Sequence, residues 1–206
     1  YDGQILERYK LDNDGYRHGK YEKWYSTGER RFIENWKHGR PYGKHEYWFK
    51  NGQLDMRIYK DDDAGWSKVY GEFIRYYENG NKRFHTIRDR KGNIQGPDTE
   101  WSEYGQLIQD HNYKDDRKHG VQKNWTFYSW NYMSVLENYS EGNKDGVFEK
   151  WTNHAEEMYE EDFLYSIENW KDDKKHGRFL YYDTLSQNLI YQNNYKYGLY
   201  DGVQKN

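Results

Sequence analysis

Polar and apolar residues alternate in short runs along this chain, and residues that favour turns bound each run. Residues 53–58 alternate strictly, which predicts a β-strand with one apolar face. Leu54, Met56 and Ile58 are expected on that face. The pattern therefore predicts a chain built from β-strands.

Asn-Gly pairs mark the tips of two predicted hairpins. Asn51-Gly52 and Asn79-Gly80 favour type I′ turns, because both central residues of that turn need positive φ and Asn-Gly adopts it at low cost. The strands that flank such turns are predicted to pair within each repeat. The predicted pairs are residues 20–25 with 30–36, 44–49 with 53–58, and 72–77 with 82–87.

A repeat of roughly 25 residues organises these hairpins along the chain. Each unit begins at an anchor glycine, and a Trp or Tyr follows five residues after it in every complete unit. The anchor glycines are Gly19, Gly43, Gly71, Gly96, Gly120, Gly146, Gly177 and Gly202. The aromatics are Trp24, Trp48, Tyr76, Trp101, Trp125, Trp151 and Tyr182. We therefore expect residues 1–206 to form one continuous all-β array, an elongated single-layer antiparallel sheet of about eight stacked β-hairpin repeats.

Both repeated positions have a predicted structural role. The polar connections at residues 114–120 and 171–177 end at an anchor glycine, which positive φ or a close backbone approach would explain. The aromatic row has two interpretations: it stacks between hairpins as a structural spine, or it lines a groove that grips a partner. We favour the spine.

Composition narrows the class of protein. The chain has 24 Tyr, 9 Trp and 8 Phe, which sets it apart from disordered chains of similar polarity. Its net charge of −3 argues against nucleic acid as a partner, and it lacks an apolar run long enough to suggest membrane contact. It has no Cys, which permits a reducing compartment, so we expect the cytoplasm or a particle assembled there. Secretion stays open, because the chain starts at Tyr1 and a preceding segment can be missing.

The repeats differ from one another, and the differences indicate a candidate partner-binding patch. On the face away from the aromatic row, the residues after the row are aromatic only in the first three units, at Tyr25, Phe49 and Tyr77. The first 60 residues are also basic, with 13 Lys and Arg against 9 Asp and Glu. These three aromatics, with Arg30 and Arg31, are therefore predicted to bind a protein partner.

A second candidate contact is an insertion at about residues 153–166. Its composition tolerates helix, so a longer hairpin and a short helical turn are both open. Insertions in repeats map to surface loops, and a loop without a binding role is more common than one that contacts a partner.

No catalytic, metal or cofactor site is predicted. His18, His119 and His176 precede anchor glycines and His38 lies in a similar loop, but histidines one repeat apart are about 10 Å apart, too far to share a zinc ion. We interpret them as turn residues whose imidazoles bond to nearby backbone. The paired aspartates of the connections favour turns in the same way. Without a phosphate-binding loop, a nucleophile elbow or a cysteine, we expect a protein that is not an enzyme.

The repeat unit resembles a known family. The anchor glycines, the aromatic row and the segments 13–28, 59–80, 113–125 and 170–182 resemble the MORN repeat, in the variant found in YwqK-like bacterial proteins. Proteins similar to these consist of stacked β-hairpins and are mostly regarded as interaction or assembly modules. YwqK-like members are commonly labelled antitoxins, related arrays are plentiful in large DNA viruses, and some MORN proteins have been proposed to bind phospholipid head groups.

The array and the resemblance together predict a non-enzymatic scaffold that binds proteins, by self-association or within a large assembly such as a viral particle. The alternative is an antitoxin or immunity-type protein that binds and neutralises a toxin. Binding to a phospholipid surface is the weakest hypothesis, because the sequence has neither an amphipathic helix nor a polybasic cluster.

Overall fold

The structure, a computed structural model, describes residues 5–61, 69–128, 131–154 and 162–202. Its contacts divide the chain into an N-terminal unit, Tyr1–Gln106, and a C-terminal unit, Leu107–Asn206. Across the described residues every regular element is a β-strand, and paired strands run antiparallel in hairpin order. The predicted all-β hairpin architecture is confirmed. That residues 1–206 form one continuous array stays a prediction.

The described part of the N-terminal unit is an antiparallel sheet in which each long strand pairs with the long strands before and after it. A two-residue strand at the start pairs with the first long strand. The strands are β1 (Glu7–Arg8), β2 (Gly19–Trp24), β3 (Arg30–Lys37), β4 (Arg40–Pro41), β5 (Gly43–Trp48), β6 (Leu54–Lys60), β7 (Val69–Tyr76), β8 (Lys82–Arg88) and β9 (Ile94–Trp101).

The C-terminal unit repeats this arrangement, and its two-residue strands follow tight turns and pair with the end of the preceding strand. The strands are β10 (Leu107–Lys114), β11 (Arg117–Lys118), β12 (Gly120–Tyr128), β13 (Asn131–Ser140), β14 (Asn143–Lys144), β15 (Gly146–His154), β16 (Phe163–Lys171), β17 (Lys174–Lys175), β18 (Gly177–Tyr182), β19 (Leu189–Lys196) and β20 (Leu199–Tyr200). Much of the predicted insertion, residues 155–161, lies outside the described residues.

The three predicted strand pairs are present as β2 with β3, β5 with β6, and β7 with β8, but one predicted face was wrong. A register shift sets Met56 opposite Tyr47 and Leu54 opposite the next residue, Trp48. Opposed residues share a face, and consecutive residues of a strand point to opposite faces. Leu54 therefore lies on the face away from Met56 and Ile58, because a bulge interrupts the alternation.

The Asn-Gly turns occur where predicted but have another geometry. The value of φ is +87° at Gly52 and is not positive at Asn51. The Gly52 N–H donates to the Phe49 carbonyl at 3.0 Å, and the Phe49 N–H donates to the Gln53 carbonyl at 2.8 Å. This is a type I turn closed by a glycine bulge, so the type I′ prediction was wrong. In this geometry the Asn51 side chain accepts the Gln53 N–H at 2.9 Å and donates to the Glu78 carbonyl at 2.8 Å.

Turns with the type I′ pattern occur instead at the connections between repeats. Both central residues have positive φ in His38-Gly39, Asp115-Asp116, Glu141-Gly142, Asp172-Asp173 and Tyr197-Gly198. The second turn residue also bonds to the preceding repeat in several of them. The Gly39 N–H donates to the Arg17 carbonyl at 2.9 Å, and the Asp173 N–H donates to the Lys144 carbonyl at 3.0 Å. These bonds join neighbouring repeats at the turns.

Positive φ explains the anchor glycines, as predicted. The angle ranges from 69° at Gly71 to 116° at Gly146. The residue before Gly146 donates its N–H to the carbonyl of Asn138 at 2.9 Å, and the Asn138 side-chain amide donates to the carbonyl of Val147. A Cβ at Gly146 would lie 3.0 Å from the Asn138 Cβ, so close approach also selects glycine there. Asn35, Asn112 and Asn169 make the same side-chain bond in their repeats.

The most buried row of side chains lies two residues after the anchors. Six of its seven members are at most 8% exposed, and the seventh, Phe73, is half-buried; the six are Tyr21, His45, Asp98, Gln122, Phe148 and Phe179. In the C-terminal unit their rings contact the next strand, with centroid distances of 6.1 Å from Phe148 to Trp170 and 5.5 Å from Trp170 to Phe179. We call this side of each sheet the core face. The opposite side, which carries the aromatics five residues after the anchors, is the tryptophan face.

Basic side chains cover the rings of the core face. The Lys144 Nζ lies 4.4 Å from the Trp170 ring centroid, and the Lys175 Nζ lies 5.0 Å from that of Phe179. In the N-terminal unit the Arg17 guanidinium takes this role, 4.4 Å from the Tyr21 centroid. Cations at these distances are attracted by the ring quadrupole, so these three contacts add to the aromatic packing of their repeats.

Candidate functional site

On the tryptophan face of the N-terminal unit, long side chains fill the gaps between successive aromatics. Arg30 is directly opposite Trp24, and its guanidinium carbon lies 5.6 Å from the Trp48 ring centroid. Lys82 takes the corresponding place one repeat before Trp101, with its Nζ 5.7 Å from that centroid. Each such side chain packs its aliphatic stem between rings and presents its cation to one of them.

One gap of this kind is open in the C-terminal unit. Ser134 is directly opposite both Trp125 and Trp151, and a serine side chain is too short to fill the space between two indoles. In five other hairpins the residue opposite the aromatic is long: Arg30, Leu54, Lys82, Leu164 and Leu189. A groove of about 220 Å³ lies at Ser134. We call it the tryptophan slot; it is lined by Lys123, Trp125, Ser134, Val135, Leu136, Trp151 and Asp162.

The charges around the tryptophan slot are mostly negative. Asp162 lies at its edge, next to the predicted insertion in the sequence. The Glu149 carboxylate accepts a hydrogen bond from the Trp151 indole N–H at 3.3 Å. Lys123 also lines the slot and is directly opposite Asp110. These described residues therefore bring three carboxylates and one ammonium group to the neighbourhood of the slot.

The predicted N-terminal patch is divided between the two faces. Tyr25 is half-buried, the Arg31 guanidinium carbon lies 5.8 Å from its ring centroid, and its hydroxyl donates to the Trp48 carbonyl at 2.8 Å. Phe49 is half-buried one repeat further on. Tyr77 repeats the bond of Tyr25, with its hydroxyl donating to the Trp101 carbonyl at 3.0 Å. Arg30 lies on the tryptophan face, so it is on the opposite side of the sheet from the other residues of the predicted patch.

The loop histidines bond to backbone, in agreement with their interpretation as turn residues. The Nδ1 atoms of His18, His119 and His176 accept the N–H groups of His38, Glu141 and Tyr197 at 3.4, 3.3 and 3.5 Å. Each acceptor and donor pair spans two successive connections. These long bonds therefore join one repeat to the next.

His38 also belongs to a cluster that the sequence analysis missed. Its Nδ1 lies 2.8 Å from an Asp12 carboxylate oxygen, and one ligand-type atom each from Asp12, Asp14 and His38 falls within 4.8 Å of the others. The comparison of histidines with one another overlooked the carboxylates of the preceding loop. His38 and Asp14 are exposed, and the Asp12 carboxylate already accepts the backbone N–H groups of Asp14 and Tyr16, so we assign the cluster no metal role.

Titratable groups with shifted pKa values occur in repeated structural positions. Burial and the neighbouring Glu34 carboxylate raise the pKa of Tyr47, whose hydroxyl donates to Glu34 at 2.8 Å. Tyr181 and Glu168 repeat this bond at 2.8 Å, and the pKa of Tyr181 is raised for the same reasons. A perturbed pKa often marks a catalytic group. Here the same shift recurs at the same position of another repeat, which indicates a structural role.

The residues that define the tryptophan slot were only partly foreseen. Trp125 and Trp151 were identified as members of the aromatic row, while Ser134 was not singled out, because its place between them depends on cross-strand register. At this point two members of the row line a groove; that the row acts as a structural spine stays a prediction. The asparagine bonds were missed although Asn precedes an aromatic residue in the same part of several repeats, as at Asn35, Asn138 and Asn169.

Neither a protein-family model nor a curated protein sequence matches this chain. The resemblance to the MORN repeat therefore stays a prediction that rests on the repeated glycines and aromatics. Among the described residues, none belongs to a helix with the length and apolar character that a membrane span requires.

Proposed function

We propose that this protein is a non-enzymatic scaffold that binds another protein. The observation that carries the proposal is the tryptophan slot, an aromatic groove of about 220 Å³ on one face of a sheet. Tryptophan is enriched at the energetic centres of protein interfaces, where an aromatic pocket receives an anchor side chain. A slot of this size suits one side chain better than a whole small-molecule substrate.

The distribution of titratable groups also supports a binding role. The Glu34 and Tyr47 pair and its counterpart at Glu168 and Tyr181 are half-buried on the core face and already bonded to each other. Their hydrogen-bonding capacity is used to join strands. An assembly within a large particle and the neutralisation of a single toxin are two forms that such binding can take, and both require a protein partner.

Co-purification with crosslinking tests the proposal. The tagged chain is isolated from its native source after treatment with a lysine-reactive crosslinker, and bound proteins are identified by mass spectrometry. We expect a stoichiometric partner crosslinked at Lys123, beside the tryptophan slot, and a weaker yield at the exposed Lys20 of the N-terminal unit. Several structural subunits would indicate an assembly, and one enzyme that the chain inhibits would indicate an antitoxin. Enrichment no greater than that of an unrelated tagged protein contradicts the proposal.

A further inference from the structure

At the tryptophan slot a short residue occupies a position where other hairpins of this chain have a long one. Ser134 lies between Trp125 and Trp151, whereas the long residues Arg30 and Lys82 are opposite the aromatics of their hairpins. The short residue leaves a gap between two indoles. The strands that carry them are about 10 Å apart, because one strand lies between them. As far as the described residues define it, the groove between the two rings is therefore open to a side chain from outside the chain.

The chain itself shows which chemistry fits beside these rings. Guanidinium carbons lie 5.6 Å from the ring centroids of Trp24 and Trp48, supplied by Arg8 and Arg30. Arginine combines a flat cation with an aliphatic stem, so it can stack on an indole and also cover its edge. The same contact is expected wherever an indole of the row faces an unfilled gap.

The charge around the slot favours a cation in the same place. Asp110, Glu149 and Asp162 contribute three negative charges, and Lys123 contributes one positive charge. The carboxylates can accept hydrogen bonds from a guanidinium group, which has five N–H donors in a planar fork. An acidic side chain would be repelled by the same carboxylates.

We propose that the tryptophan slot binds an arginine side chain of a partner protein, with its guanidinium group stacked between Trp125 and Trp151. This inference rests on the proposed scaffold function and specifies the anchor that the partner supplies. The stem of the arginine packs over Ser134 and Leu136, in the position that Arg30 holds within its own chain. The guanidinium N–H groups reach the carboxylates at the edge.

An NMR titration tests this inference without any knowledge of the partner. The nine tryptophans give separate indole N–H signals in the ¹⁵N-labelled protein, and Trp125→Phe and Trp151→Phe variants assign the two that matter. N-acetyl-argininamide is expected to shift both signals, with an affinity about tenfold higher than that of N-acetyl-leucinamide. Added salt should weaken the binding of the arginine compound only.

Ser134→Leu is the matched control, because leucine is the native residue opposite the aromatic at Leu54, Leu164 and Leu189. It should abolish both shifts, and Ser134→Ala should preserve them. If Ser134→Leu fails to fold, Ser134→Val fills part of the same space and is judged by the same criterion. Equal affinity for the two compounds, shifts that survive a filled slot, or no shift of these two signals overturns the inference.

The titration and the co-purification fail independently. If the arginine compound binds while no partner is recovered, the chemistry of the slot stands and the scaffold function is refuted. If a partner is recovered but the arginine compound does not bind, the scaffold function stands and the arginine anchor is refuted.

Discussion

His45 should make the N-terminal unit sensitive to acid. It occupies the buried row of the core face, is 1% exposed, and neither ring nitrogen has a hydrogen-bond partner among the described residues. The pKa of His45 is lowered from 6.5 to about 4, mainly by burial; the Glu34 carboxylate opposes this shift and the Lys60 ammonium contributes to it. The folded protein therefore holds this imidazole neutral under conditions in which the unfolded chain would protonate it.

The size of the effect follows from the difference between the folded and unfolded pKa values. A depressed folded pKa means that stability is fully present above about pH 6.5, falls as the unfolded chain takes up a proton, and stops falling near pH 4. At about 1.4 kcal/mol per unit, the total loss is about 3 kcal/mol. That is a large part of the net stability of an ordinary domain.

The test is His45→Phe, which places at this position the residue found at Phe73, Phe148 and Phe179. Free energies of unfolding are measured by urea denaturation with circular dichroism at about pH 7 and about pH 4.5. We expect the wild-type protein to lose about 2 kcal/mol more than the variant between the two pH values.

Phe179→His provides the converse control, because Phe179 is 2% exposed in the corresponding position of the C-terminal unit. A histidine there should introduce a similar loss on acidification. The reasoning is refuted if His45→Phe loses as much stability as the wild-type protein.

Three further predictions concern stability at neutral pH, each measured by urea denaturation. Ser134→Leu should raise the free energy of unfolding by about 1 kcal/mol, because the leucine buries apolar surface between two indoles; a lower value would show that the slot is too narrow for a side chain. Replacing Asp115-Asp116 by Asn-Gly should raise it by about 1 kcal/mol, since both residues have positive φ, and no gain would mean that the aspartates compensate their backbone strain. Tyr77→Phe should lower it by about 1 kcal/mol through loss of the bond to the Trp101 carbonyl, whereas an unchanged value would show that this bond contributes nothing.

The hairpins were predictable because their signals are local. An anchor glycine, an aromatic five residues later and a turn residue beyond it all lie within one hairpin, so strand pairs such as β2 with β3 followed from the sequence alone. The turn types were less accessible. Asn51 was assigned positive φ from a dipeptide preference, but its side chain bonds to Gln53 and Glu78 in a geometry that needs positive φ only at Gly52.

The buried row escaped detection because its residues are chemically mixed. His45 and Gln122 are almost fully buried at positions where Phe148 and Phe179 stand in other repeats, so hydrophobicity does not mark the row. The Gln122 side chain is accommodated by donating to backbone carbonyls, including that of Asn112 at 2.8 Å. Whether such a partner exists depends on tertiary structure, and a single sequence does not reveal it.

The tryptophan slot depends on cross-strand register, which is harder still to predict. In the hairpins of the N-terminal unit a bulge shifts the register near the aromatic, as between Lys23 and Trp24. The β12 and β13 pair has no such shift, and Ser134 is opposite Trp125 for that reason. The aromatic row was visible in the sequence, but the residue that leaves the gap was not.

Bulges are present in some hairpins and absent in others. The number of residues in a hairpin therefore affects which side chain lies opposite the aromatic. Moving the register by one residue exchanges the side chains shown on the two faces of a strand. A single-residue deletion in the connection between β12 and β13 would therefore replace Ser134 by a neighbour without altering either tryptophan. Relatives of this protein that differ only by such an indel would keep both tryptophans and have a different side chain between them.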